Sequence, residues 1–483
     1  MEQPEWCAAV IPVGVSTLDL ARIQFATTSL YHFLFVPLTL GLAPLVAVMQ
    51  TLWHRSGDDA WLRLTRFFGT LLLINFAIGV ATGLVQEFQF GMSWSVYSNY
   101  VGGVFGAPLA IEGLAAFMLE ATFLGLWIFG WGQLSPRLHL ATIWIAALGT
   151  WLSAYMILVA NSWMQHPVGY TVVNGKAELT SVSALLSNEF AVIAWIHVIL
   201  AGLIFGSMAM FGICCWHMLR GRNVELFRRA AKLALIVAVP ATLIQLSVGN
   251  RFGEAVTSAQ GMKIAASEAQ WNTCQPCGFS LFQIGGFSAQ DPTPRFAITI
   301  PRLLSWMATG SFNGKVDGLN QLQHQERRSF GRGSYEPDIR LMYWSMRVMA
   351  MLGVAMFLIA ALGAVLYRRG RLERTRWFLW LGVVAIAFPY IAATAGWILT
   401  EMGRQPWIVQ GLLKTSAAVS TGLGTSTIAA SLAVFLALYT VLGIVDFVLM
   451  RRYARLDPPE VGSLPGVVPA TETPGPGIPA GGG

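Results

Sequence analysis

Four side chains able to bind a heme iron stand in long apolar stretches of this chain: His32, His197, Met349 and Glu401. Burying ionisable groups in a bilayer is costly, so such residues usually mark a functional site. An imidazole and a thioether together give a six-coordinate, electron-transferring iron; a lone His or carboxylate leaves a position open for substrate. Each residue also has a plainer reading. A single His on a transmembrane helix is commonly a hydrogen-bonded core residue, and one Met among 18 is by default a packing residue. Glu401, beside Arg404 in EMGRQPW, can simply be ion-paired.

The elements that must position these residues follow from composition. The 483 residues are 55% hydrophobic and 11% charged, against about 25% charged in soluble domains, which points to an all-α integral membrane protein. The net charge of +7 is not a nucleic-acid signal, because the basic residues sit in loops between apolar segments. Nine segments reach the length of roughly 20 apolar residues that a span needs: 27–52, 67–86, 107–131, 138–160, 190–216, 231–250, 342–366, 378–400 and 427–450. Residues 16–26 read as a short amphipathic surface helix. No cleavable signal peptide is evident, and the Pro/Gly-rich tail from Asp457 reads as disordered. The organisation is therefore helices 1–6 over 1–250, a loop over 251–341, helices 7–9 over 342–456 and a cytoplasmic tail over 457–483.

Lys and Arg cluster in the segments after spans 1, 3, 5, 7 and 9, while the short opposite segments carry only Arg22, Lys176, Arg404 and Lys414. By the positive-inside rule the N-terminus and the long loop are outside and the C-terminus is cytoplasmic. His32, His197 and Met349 then lie five to seven residues below the outer ends of spans 1, 5 and 7, and Glu401 ends span 8. At about 1.5 Å per residue, His197 and Met349 share a depth of about 10 Å and could sandwich one iron.

The segments YHFLFVPLTLG (31–41), NFAIGVATGLVQEFQFG (75–91), VFGAPLAIEGLAAFMLEATFLGLWIFGW (104–131), ILVANSWMQ (157–165) and GWILTEMGRQPW (396–407) closely resemble subunit I of the cytochrome bd quinol:oxygen oxidases. The resemblance runs from about Arg22 to Arg455, and GRQPW with GAPLAIEG is highly specific. It implies a respiratory oxidase of the bacterial cytoplasmic (inner) membrane. Its implied cofactors are one low-spin heme b, one high-spin heme b and one heme d, a chlorin. By position, His197 and Met349 look like the ligands of the low-spin heme. His32 looks like the ligand of a high-spin heme, most simply heme d, and Glu401 like that of the other. Arg347, Trp397, Arg404 and Arg22 resemble residues placed around the cofactors. Implied partners are ubiquinol or menaquinol, O2, membrane lipid, a second multi-helix subunit II and, in some members, a small single-span subunit.

Within the loop, Lys263 and Glu268 match the family's quinol-site lysine and glutamate. A carboxylate can take a proton from a quinol hydroxyl and a cation can stabilise the developing anion; without the resemblance, the two read as a solvated charge pair. The loop's length resembles the short-loop branch of the family. Cys274 and Cys277 form a CxxC with no second pair to complete a metal site; on an oxidising face they suit a local disulfide. Glu112 and Glu120, eight residues apart in span 3, suit a proton relay or structural hydrogen bonds. With quinol protons leaving outside and water-forming protons drawn from the cytoplasm, charge separates without a pump.

Two rival readings explain part of the pattern. A proton-coupled transporter accounts for Glu112 and Glu120 but predicts no heme. A non-catalytic electron carrier accounts for His197 and Met349 but leaves His32 and Glu401 idle.

Overall fold

The computed structural model describes residues 16–460. Cys7 and the tail beyond residue 460 lie outside the described residues. The chain is mostly helical, at 73%. In order the helices are α1 (Thr17–Ser56), α2 (Asp59–Met92), α3 (Ser95–Phe129), α4 (Pro136–Gln165), α5 (Val182–Leu219), α6 (Val224–Ala259), α7 (Gly261–Ser267), α8 (Leu303–Thr309), α9 (Leu319–Phe330), α10 (Ile339–Arg368), α11 (Arg376–Met402) and α12 (Thr425–Tyr453). Among the described residues, the nine of these other than α7, α8 and α9 are long and apolar enough to cross a membrane.

These helices outrun the spans expected from hydropathy. α2 has 34 residues, where about 20 would cross the hydrocarbon. The extra turns are polar and capped: Asp58 accepts from the Ala60 amide (3.0 Å) and Asp338 from that of Leu341 (2.9 Å). The first span departs furthest from expectation. No separate surface helix covers 16–26. A capping box between Ser16 and Asp19 starts α1 at Thr17, and nothing breaks it before the turn at 33–35. The helix resumes at Val36 with a proline in its first turn. His32 is thus the last residue before an internal turn.

The bundle closes through glycines. Gly41 on α1 meets Gly202 and Gly206 on α5 backbone to backbone, and a Cβ at Gly206 would come within 2.5 Å of the Gly41 carbonyl carbon. Small residues let transmembrane helices approach in this way. Around this seam Val46, Phe68, Phe205, Met208 and Phe227 are buried.

Three antiparallel hairpins, absent from the all-α expectation, lie between the spans: β1 (Tyr170–Val173) with β2 (Lys176–Leu179), β3 (Phe279–Gly285) with β4 (Pro294–Ile300), and β5 (Trp407–Val409) with β6 (Leu413–Lys414). The long loop folds back on the bundle. Met262 and Leu319 pack with Tyr335, Met342 and Trp407, joining α7 and α9 to α10 and the β5 strand. The opposite end of the bundle is tied by ion pairs, Asp58 with Arg229 and Glu373 with Arg228 (2.9 Å).

Candidate functional site

The C-terminal half of α11 is where the candidate residues meet. Gly396 faces Met349 of α10; a Cβ there would sit 3.0 Å from the Met349 sulfur. Trp397 stacks on Phe33 of α1, ring centroids 4.0 Å apart, next to His32. Glu401 follows one turn later. At about 1.5 Å per residue, the positions from 396 to 401 span roughly 8 Å. Met349 of α10 and Phe33, the chain neighbour of His32, therefore meet α11 within the one short stretch that ends at Glu401.

His32 Nδ1 lies 2.9 Å from Thr82 Oγ1 on α2, and the Thr82 hydroxyl donates to the Gly79 carbonyl (2.9 Å). When the Thr82 hydroxyl gives its one hydrogen to Gly79, the imidazole is the donor in the first bond. That arrangement leaves the lone pair on Nε2, the form a metal requires. Gly83 flanks the ring, its Cβ position 3.1 Å from His32 Cε1. His197, on α5, faces Gly249 of α6, whose Cβ position is 3.5 Å from the ring. Its Nδ1 is buried with no hydrogen-bond partner among the described residues. An orphaned buried ring nitrogen is costly unless something else satisfies it. An unpartnered imidazole nitrogen, a thioether sulfur and glycines facing these side chains fit flat, iron-bearing groups. Among the described residues no three His, Cys, Asp or Glu cluster as a bare-metal site.

Glu401 is held at both oxygens. Oε1 accepts from Asn161 Nδ2 of α4 (2.9 Å), and Oε2 pairs with Arg404. Arg404 also donates to the Ile408 carbonyl (3.0 Å). Arg22 donates to Gln405 Oε1 (3.0 Å), and Thr415 donates to the same oxygen (2.8 Å). Of the two arginines expected beside cofactors, Arg404 thus ties to the β5 strand at Ile408, and Arg22 ties α1 to Gln405 just before it.

Lys263 and Glu268 are not a solvated pair. Both are buried, and they turn to different partners. Lys263 Nζ donates to Gln165 Oε1 (2.7 Å); burial pushes its ammonium down to about 7, with Glu401 opposing the shift and Arg404 adding to it. Glu268 takes Arg347 at two points, Nη2 to Oε2 at 2.6 Å and Nη1 to Oε1 at 3.2 Å. Burial pushes the Glu268 carboxyl up, and the Arg347 charge and hydrogen bonds oppose it. Arg347 also donates to the Ser280 and Ser267 carbonyls and lies 3.8 Å over the Tyr343 ring. Its polar head is spent on the loop, two residues from Met349. Cys274 and Cys277 are joined as a disulfide between Glu268 and Ser280.

Glu112 opens a π-turn in α3 over Glu112–Phe117 and accepts from Ser153 Oγ of α4 (2.7 Å). Glu120 is buried, and Gly149, one turn before Ser153, lets α4 pack against its backbone. Both glutamates therefore border α4. The residues that sequence reasoning passed over are Asn161, Gln165, Thr82 and Ser153. The first two stood in the quoted ILVANSWMQ, as neutral amides four residues apart.

Residues 20–458 match the family model for cytochrome bd terminal oxidase subunit I. The chain is 42% identical to cytochrome bd ubiquinol oxidase subunit 1 of Bacillus subtilis (strain 168), over 91% of this chain and 94% of that one. It is 37% identical to cytochrome bd-II ubiquinol oxidase subunit 1 of Escherichia coli (strain K12), over 91% and 97%. Its fold is similar to the solved bd oxidase from Geobacillus thermodenitrificans, with TM-score 0.83, 26% identity, and 92% and 99% of the two chains covered.

Proposed function

Because the chain belongs to the cytochrome bd terminal oxidase subunit I family, we propose that it oxidises quinol and reduces dioxygen to water as one subunit of a membrane respiratory oxidase. The observation that carries this reading is that Met349, Phe33 beside His32, and Glu401 meet along the C-terminal half of α11, and that Lys263 of the loop reaches Glu401 through Gln165 and Asn161. Neither a transporter nor a simple electron carrier calls for that arrangement.

His197 and Met349 would hold a low-spin heme b. His32 and Glu401 would hold the two high-spin hemes, heme d and a second heme b, with Trp397, Arg404 and Arg22 around them. The Thr82 hydroxyl at His32 Nδ1, the orphaned Nδ1 of His197 and the facing glycines support this assignment. When bound, such groups supply one-electron redox chemistry and an open iron position for dioxygen.

In the loop, Glu268 accepts the quinol proton at its carboxylate, whose proton affinity burial raises and the Arg347 charge and hydrogen bonds partly offset. Lys263, balanced near neutrality, offers its ammonium to the developing quinol anion. The Arg-rich ties at the opposite end of the bundle, Arg63 to the Pro458 and Pro459 carbonyls and Arg229 to Asp58, support a cytoplasmic placement for that end. The loop then faces outward, quinol protons leave outside, and Glu120 and Glu112 pass protons outward from the cytoplasm along α3. The exposed apolar faces of α3 and α12, with Leu114, Val441 and Phe447, suit lipid and the second subunit.

The test is a reduced-minus-oxidised optical spectrum of the purified complex, repeated with carbon monoxide. A red chlorin band that moves with the gas, beside a low-spin b band that does not, is the expected result. A colourless complex overturns the reading.

A further inference from the structure

The hydrogen-bonded chain that ends at Glu401 begins in the long loop. Lys263 Nζ donates to Gln165 Oε1 (2.7 Å), Gln165 Nε2 donates to Asn161 Oδ1 (2.8 Å), and Asn161 Nδ2 donates to Glu401 Oε1 (2.9 Å). Its polarity is forced. A carboxylate only accepts, so Asn161 must turn its NH2 to Glu401 and its carbonyl to Gln165; Gln165 must then turn its NH2 to Asn161 and its carbonyl to Lys263. Flipping either amide sets donor against donor or acceptor against acceptor. Gln165 and Lys263 are 3% and 4% exposed, so solvent cannot readily replace a missing member, and an unmade bond carries its desolvation cost. The two amides lie four residues apart, on one face of α4.

We propose that Asn161 and Gln165 are positioning residues that transmit the seating of Lys263 to the orientation of the Glu401 carboxylate. This rests on the reading that Glu401 ligates an iron and the loop takes quinol. When Lys263 withdraws, the Gln165 amide is free to turn. Asn161 loses the partner that orders it, and Glu401 keeps only Arg404 at its other oxygen. Loop docking and the geometry at that iron are thereby one structural unit.

The experiment uses the purified complex, with three readouts: the optical spectrum and redox titration of each heme, the KM for a short-chain ubiquinol, and oxygen uptake from an artificial donor. Gln165→Leu touches neither Glu401 nor Glu268. It is expected to shift the high-spin band and its midpoint while the low-spin band stays, and to raise the quinol KM on the order of tenfold, as for one buried charge-assisted bond. Lys263→Met should give the same spectral shift, and the double variant no more than either alone. Gln165→Glu keeps the acceptor for Lys263 but loses the donor to Asn161. It should shift the high-spin band with a nearly unchanged quinol KM, and it serves if the leucine variant does not assemble. Unchanged high-spin spectra in these variants, or shifts that add in the double, overturn the proposal. Glu401→Ala separates the two levels. If those variants fail and Glu401→Ala still deletes one high-spin heme, the reading stands and only the coupling has failed; if every heme remains, the reading fails and takes the coupling with it.

Discussion

Arg347 and Glu268 form a buried two-point ion pair, their side chains 1% and 4% exposed. One comes from a membrane helix and the other from the loop just beyond α7, so the pair pins the loop to the bundle two residues from Met349. Breaking such a pair by removing one partner costs about 3–5 kcal/mol, because the other charge is left buried alone. Glu268→Gln keeps the shape and one acceptor but not the charge. Quinol-driven oxygen uptake should fall further than uptake from an artificial donor, and the loop should become easier to cleave. Equal loss with both donors would remove Glu268 from quinol chemistry.

Lys263 gives the loop a pH dependence whose sign can be worked out. Its ammonium is held down to about 7, against 10.5 when free. Between these values the undocked loop binds a proton that the docked loop lacks, so docking strengthens as pH rises through that window. Below about 7 both forms are protonated and the whole cost of burying the charge is present. Limited proteolysis of the loop in the intact complex should therefore slow between about pH 7 and about pH 9. In Lys263→Met that slope should vanish; protection that weakens with rising pH would contradict it.

Apolar length made the spans legible, because a bilayer demands about 20 such residues whatever the fold. The ends of the helices were less legible, since caps such as Ser16 with Asp19 and Asp58 extend them into polar sequence where hydropathy is silent. The spacing of Lys263 and Glu268 suggested one pair. Burial sends each to a partner more than 75 positions away in the chain, Lys263 to Gln165 and Glu268 to Arg347, with separations of 98 and 79. Asn161 and Gln165 escaped notice because uncharged amides in an apolar helix leave no mark on charge or hydropathy. Two amides at helical spacing next to a motif-bearing segment are the signal that could have found them. The glycines opposite His32, His197 and Met349 are invisible in one dimension, because each lies on a different helix from the side chain it faces.

Those glycines make steric predictions with an internal control. A Cβ at Gly396 would press the Met349 sulfur at 3.0 Å, whereas at Gly353, on the same helix as Met349, it meets nothing within 4 Å. Overpacking costs about 1–3 kcal/mol. Gly396→Ala should displace Met349 and move the low-spin band and its midpoint, and Gly353→Ala should leave both in place. The same spectrum from the two variants would detach Met349 from that heme.

His197 supplies the most direct test of ligand assignment. Its ring faces Gly249, lies 6.1 Å from the Phe252 ring, and has a buried Nδ1 with no partner among the described residues. If it were only a packing residue, His197→Ala would relieve an unsatisfied nitrogen and leave the cofactor content alone. As an iron ligand it cannot be spared: the variant should lose the low-spin b band while the carbon-monoxide-sensitive bands persist, because His32 and Glu401 sit on other helices with their own hydrogen-bond partners, Thr82 and Asn161. Quinol-driven turnover should collapse together with the low-spin band. Retention of the full heme complement in His197→Ala would move the low-spin site elsewhere in the bundle.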